Sequence, residues 1–181
     1  MGMQQYRKFA FDIGLTFFAS VVSMLLGFIV TVLLGRYLGA EDLGLYRMTS
    51  TLYGIVMLFG AFGIPAAIIK YVAEYKEDRN KLNQIASSGI ITSLFFGVGF
   101  AVIFYLLSGT FAKIFDMPML AGLLKILSPV FPFALVGQTL LGFLNGLREM
   151  KRYATATIIQ SILMVVITVS LITTGLALWV L

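Results

Sequence analysis

The sequence predicts an all-α fold, a bundle of five membrane-crossing helices in one transmembrane domain, and three observations predict it. Charge is confined to short intervals, leaving residues 13–35, 48–69, 82–112, 126–147 and 153–181 without a single Asp, Glu, Lys or Arg. Each run exceeds the roughly 20 apolar residues that a helix needs to cross a hydrocarbon layer of about 30 Å. Composition agrees: 12% of the residues are charged and 60% are hydrophobic, with a mean hydropathy of +0.99. A water-soluble domain carries about a quarter charged residues, so lipid must be the solvent for most of this surface. The third observation is where the cations fall. Arg7, Lys8, Lys70, Lys76, Arg79, Lys81, Arg148, Lys151 and Arg152 occupy the amino terminus and alternate loops, whereas Arg36, Arg47, Lys113 and Lys125 occupy the others. Short basic loops stay on the cytoplasmic side, which places the amino terminus of this multi-pass protein inside.

The first helix is expected near residues 13–34, preceded by an amphipathic lead-in carrying Tyr6, Phe9 and Phe11 at the interface. A turn with Gly35, Gly39 and Gly44 reverses the chain. The second helix, near 44–69, contains Pro65, whose missing amide and bulky ring should kink it. Its continuation into water carries Lys70, Glu74 and Asp78 at i, i+4 spacing for ion pairing. The third helix, near 85–107, has Gly89, Gly97 and Gly99, where neighbouring backbones can approach. Phe111, Ile114, Phe115 and Leu120 share a face with Lys113 and Asp116 off it, which predicts a short interfacial helix near 110–120. The fourth helix, near 124–147, holds Pro129 and Pro132 in its first turns and a Gly142/Gly146 pair suited to helix packing. The fifth, near 154–179, has Trp179 as an interfacial anchor.

The chain contains no Cys and no His. The usual thiol and imidazole nucleophiles and zinc ligands are therefore absent, and no catalytic residue, metal site or cofactor is expected. An enzyme acting on lipid carriers would need interfacial acids or His to bind metal or move protons, which disfavours that class. The basic balance does not point to nucleic acid, because the cations lie between apolar spans rather than in a patch. Glu41 and Asp42 are adjacent in a loop, without the opposed geometry of an acid/base pair. The first span is too long for a secretory signal and is followed by more spans. Five spans ending in an apolar stretch suggest the amino-terminal bundle of a longer protein.

Three ordered stretches carry a resemblance. They are LLGRYLGAEDLGLYR (Leu33 to Arg47), FGIPAAIIKYVAEYKE (Phe62 to Glu77), and IFDMPMLAGLLKILSPVFPFALVGQTLLGFLNGLREMKRY (Ile114 to Tyr153). Together, and with the amino-in topology, they resemble the polysaccharide-export flippases of the multidrug, oligosaccharidyl-lipid and polysaccharide exporter superfamily. The resemblance covers essentially the whole chain. It implies a MATE-like transporter of two helical bundles around a central cavity, working by alternating access, with this chain supplying most of the first bundle and the remaining carboxyl-terminal helices completing it. The implied substrate is a polyprenyl-diphosphate-linked glycan, and a polysaccharide polymerase is an implied partner.

A headgroup of that kind needs cations and hydrogen-bonding side chains on a wet path. The resemblance points first to Arg47, at the outer start of the second helix, which otherwise reads as an interfacial anchor like Arg36. Lys70 reads either as a headgroup contact or as a positive-inside residue. Gln138 and Asn145, seven residues apart on the fourth helix, line a cavity or bond a neighbouring helix, and Gln160 in the fifth helix is equally ambiguous. Pro65 is a hinge candidate. A cation-coupled drug exporter of the same superfamily is the nearest rival. It generally needs a membrane-embedded carboxylate, and here only Asp12 borders a span. A membrane assembly subunit without an aqueous cavity is the other alternative.

Overall fold

The computed structural model describes residues 3–37, 39–60 and 63–173, so the expectation for Trp179 lies outside the described residues. Seven helices make up that part: α1 (Met3–Tyr37), α2 (Gly39–Gly60), α3 (Ile64–Glu74), α4 (Arg79–Ile114), α5 (Pro118–Leu127), α6 (Val130–Gly146) and α7 (Met150–Thr173). No strand occurs among the described residues. Helices α1, α4 and α7 are each long and apolar enough to cross a membrane alone. The other candidate crossings are bent pairs, α2 with α3 at 43° and α5 with α6 at 49°, which give five when each pair counts as one span. This is an all-helical, multi-pass membrane protein. Its outer surface bears Phe17, Met24, Phe28, Phe95 and Phe133, all well exposed, as a lipid-solvated bundle requires.

The breaks follow from local chemistry. Gly39 adopts φ +78° where α1 gives way to α2, a conformation that costs glycine little. Gly63, at φ +76°, precedes α3, in which Pro65 occupies the first turn. There a proline loses no hydrogen bond, while its ring prevents α2 from running on. The expected kink of the second helix is thus a break a few residues before Pro65. The fourth helix is likewise divided. Its expected range 124–147 is split between α5 and α6 at Ser128 and Pro129, and Pro129 caps α6.

The short helix expected near 110–120 is not a separate element. Residues 110–114 continue α4, which ends in a Schellman turn, and a new helix starts at Pro118. In that turn the Met117 amide donates to the Ala112 carbonyl at 2.9 Å and Asp116 takes φ +53°. Nor is the lead-in before residue 13 distinct, since α1 runs through it from Met3. The third helix starts six residues early, at Arg79, because the Asp78 carboxylate accepts the Asn80 and Lys81 amides at 3.0 and 3.1 Å. That cap and the end of α3 at Glu74 remove Asp78 from the expected pairing ladder. Among the described residues the ion pair formed is Arg152 with Glu149, 3.9 Å apart and exposed.

Two pairings organise the bundle. α1 lies along α7, where the Ser23 and Ser161 hydroxyls are hydrogen-bonded at 2.9 Å. α6 packs against both α3 and α4. The second packing depends on missing side chains. A Cβ on Gly97 of α4 would overlap Pro132 Cα and lie 2.9 Å from Pro132 N, and one on Gly89 would meet the Ile68 side chain. On α6, a Cβ at Gly142 would be 3.2 Å from the Pro65 carbonyl oxygen and one at Gly146 would be 2.9 Å from that of Ile69. Gly99, expected to behave like its neighbours, has nothing within 4 Å of its Cβ position. Between α4 and α6 the buried Ser93 and Thr139 hydroxyls bond to each other, so neither is left unsatisfied in an apolar setting.

The two ends of the bundle differ. At the end holding the α2 amino terminus, the α4 carboxyl terminus and α5, a continuous core packs Leu52, Val56, Phe104, Leu120, Leu124 and Phe131. The Phe131 ring is fully buried, 5.8 Å from Tyr53 and 5.2 Å from Phe104 between centroids. The opposite end, where α1, α4 and α7 begin and α3 and α6 end, is open.

Candidate functional site

The opening is a cleft of about 590 Å³ between the α1/α7 pair and the α3/α6 pair. Its α1 wall carries Asp12, Thr16 and Ser20, spaced i, i+4, i+8 and hence stacked on one helical face. Thr16 donates its hydroxyl hydrogen to the Asp12 carbonyl at 2.8 Å, and Ser20 donates to the Thr16 carbonyl at 2.9 Å. With their protons engaged, both hydroxyl oxygens offer lone pairs, so this wall is a ladder of acceptors beneath a carboxylate.

The facing wall is different in kind. Ile69 and Ala73 of α3 are apolar, and Asn145 of α6 stands beside them, half-buried, with a carboxamide that can donate and accept. Gly146 fixes this arrangement, because only a residue without a side chain lets α6 seat against Val72 and the Ile69 carbonyl. Arg148, Met150 and Tyr153 form the rim. A second hollow of about 360 Å³ adjoins the mouth and shares Asp12 and Arg148, adding Lys76, Glu149 and Lys151. Lys151 also reaches over the Phe11 ring, with Nζ 5.7 Å from its centroid. The result is a polar α1 wall facing a largely apolar one, with Lys76, Arg148 and Lys151 beside Asp12 and Glu149 at the mouth. Such a site can accept hydrogen bonds from hydroxyl-rich groups inside and hold an anion at the rim.

Of the four ligand candidates drawn from the sequence, the cleft contains Asn145. Gln138 is exposed on α6 and does not line it. Lys70 is exposed on α3 with Nζ 5.8 Å from the Tyr71 ring centroid. Arg47 is exposed on α2, toward the packed end and away from the cleft. Pro65 and Gly142 meet at the α3–α6 contact, about one turn of α6 before Asn145 and Gly146, and do not line the cleft. Sequence reasoning missed Thr16, Ser20 and Arg148. The 12/16/20 spacing was a usable signal for the first two. Arg148 looked like one more loop cation.

The family described as polysaccharide biosynthesis protein matches residues 10–181. Among curated proteins, the chain is 28% identical over 148 residues to stage V sporulation protein B of Bacillus subtilis (strain 168), a match covering 80% of this chain and 28% of that protein. It is 23% identical over 159 residues to sporulation protein YkvU of the same organism, covering 87% of this chain and 34% of that one. The chain therefore spans about a third, or less, of the length of these relatives. No solved structure matches.

Proposed function

We propose that this chain, which belongs to the polysaccharide biosynthesis protein family, forms the receiving bundle of a flippase for polyprenyl-diphosphate-linked oligosaccharide in the cytoplasmic membrane. One observation carries the reading: a cleft with a hydrogen-bonding wall and three cations among the charged residues at its mouth, open at one end of the bundle and shut at the other by the Phe131 core.

The physical need is plain. A sugar headgroup loses many water hydrogen bonds on entering hydrocarbon, and an unpaired diphosphate costs far more. Transport requires replacements for that water along the route while the lipid tail stays outside. Acceptors on α1 suit sugar hydroxyls, Asn145 suits either partner, and the rim cations suit a diphosphate. The cation distribution orients the open end toward the cytoplasm, where the headgroup arrives. The remaining helices of a full-length transporter would supply the second wall, and rocking of the two bundles would exchange the open end. No bond is made or broken in this scheme.

The test uses full-length protein in vesicles containing a polyprenyl-diphosphate oligosaccharide with a fluorophore on the sugar. An impermeant quencher reports how much of it faces outward. The expected result is transbilayer movement well above that of protein-free vesicles. Equal rates in the two preparations would remove the proposal.

A further inference from the structure

We infer that Arg148 is the specificity-determining residue that receives a phosphoryl anion at the cleft mouth, an inference that rests on the transport reading above. Three observations converge on it. Helix α6 ends in a Schellman turn, with the Glu149 amide donating to the Leu144 carbonyl at 3.0 Å and the Arg148 amide to the Asn145 carbonyl at 2.9 Å. The turn puts Arg148 at φ +58°, a left-handed position that glycine fills most easily. The chain does use glycine at two other left-handed positions, Gly39 and Gly63. Local backbone preference therefore favours a different residue here, and strain of this sort tends to be kept where a side chain has work to do.

The second observation is charge. Among the described residues no carboxylate comes within ion-pair distance of the Arg148 guanidinium, and the adjacent Glu149 is engaged by Arg152 instead. The third is position. Arg148 borders both the cleft and the adjoining hollow, together with Met150 and the Asp12 carboxylate, and is the cation common to the two. Five N–H groups in one plane match phosphate oxygens in a way that a single ammonium does not. Asn145, three residues earlier and on the cleft wall, adds an amide to the same anion.

The helix dipole gives a competing explanation, because any cation is favoured at a helix carboxyl terminus. The turn itself does not require one. The same Schellman geometry at the end of α4 places Asp116, an acid, at the equivalent left-handed position.

The phosphoryl group could belong to the lipid-carrier diphosphate or to an ordinary anionic phospholipid, and two probes separate them. Full-length wild type, Arg148→Gly and Arg148→Lys are titrated in a neutral detergent with farnesyl diphosphate and with a short-chain phosphatidylglycerol. Melting temperature without ligand is recorded alongside. Arg148→Gly relieves the left-handed backbone, so it should melt at or above the wild-type temperature and cannot fail merely by unfolding. We expect it to bind farnesyl diphosphate at least about 10-fold more weakly, with Arg148→Lys in between. A loss restricted to farnesyl diphosphate assigns the contact to the carrier, and a loss shared with phosphatidylglycerol assigns it to phosphoryl headgroups in general. Affinities within twofold of wild type for both probes overturn the inference, as does a wild type that binds neither. The transport reading fails separately, when wild-type protein moves no glycolipid.

Discussion

Gly97→Ala should destabilise the full-length protein by about 3 kcal/mol or more, the high end of what overpacking costs. The new methyl would sit inside the contact radius of Pro132 Cα and N, which are backbone atoms of the facing helix and cannot rotate away. Relief requires α4 and α6 to move apart, and that separation would also break the Ser93–Thr139 hydrogen bond one turn off. Gly99→Ala is the matched control on the same helix, where the methyl meets nothing within 4 Å. It should be neutral or slightly stabilising, because alanine favours helix. Thermal melting in detergent and the yield of monodisperse protein read the difference. Equal melting temperatures would mean that α4 and α6 are not in this contact.

Asn145→Leu should slow glycolipid transport by about 10-fold or more while leaving the melting temperature near wild type. The amide is half-buried in the cleft, and a hydrogen bond to a charged ligand is worth about 1.5–3 kcal/mol. Leucine shares the branched four-atom skeleton of asparagine, and the open cleft gives its bulkier methyls room, so packing beside Ile69 and Ala73 survives. Gln138→Leu, on the same helix but exposed outside the cleft, should transport normally. The pair of variants separates two residues that the sequence alone placed on nearly one face. A seven-residue interval drifts by only about 20° around a helix. What distinguishes them is depth, since Asn145 lies at the end of α6 where the bundle opens and Gln138 lies two turns earlier, exposed and outside the cleft.

The helices were legible because lipid forbids charge over a long run, and the breaks at Pro65 and Pro129 were legible as disturbances. Their form was not. Pro65 begins a helix instead of bending one, since Gly63 supplies a left-handed turn just before it. The interfacial helix was misplaced because an apolar face shared by Phe111, Ile114 and Phe115 is equally available to the last turns of α4, and the stop at Asp116 depends on a backbone conformation that side-chain periodicity does not encode. Gly97 and Gly99 could not be told apart either. Two positions along a helix point to opposite sides, and only the identity of the neighbouring helix says which side is crowded. The cleft was least legible, because it exists where α1 joins α7 and α3 joins α6, and both are contacts between residues far apart in the chain. The resemblance suggested a cation site at Arg47, whereas the cations that border the cleft come from the α3–α4 turn and the α6–α7 turn.

The central claim is that the cleft is a water-filled, cytoplasm-facing receptacle for the headgroup, and site-directed thiol labelling tests it most directly. These 181 residues contain no cysteine, so a single cysteine can be placed at will in a full-length protein cleared of any others. Thr16→Cys puts the thiol on the cleft wall, Leu25→Cys puts it on the exposed apolar face of α1, and Gly44→Cys puts it on the exposed surface at the packed end. With an impermeant thiol reagent, Thr16→Cys should label from the cytoplasmic side and be protected by polyprenyl-diphosphate oligosaccharide. Leu25→Cys should stay unlabelled, and Gly44→Cys should label from the outside only. A Thr16→Cys protein that is inert from the cytoplasmic side, or that labels at the same rate with and without the glycolipid, would contradict the claim.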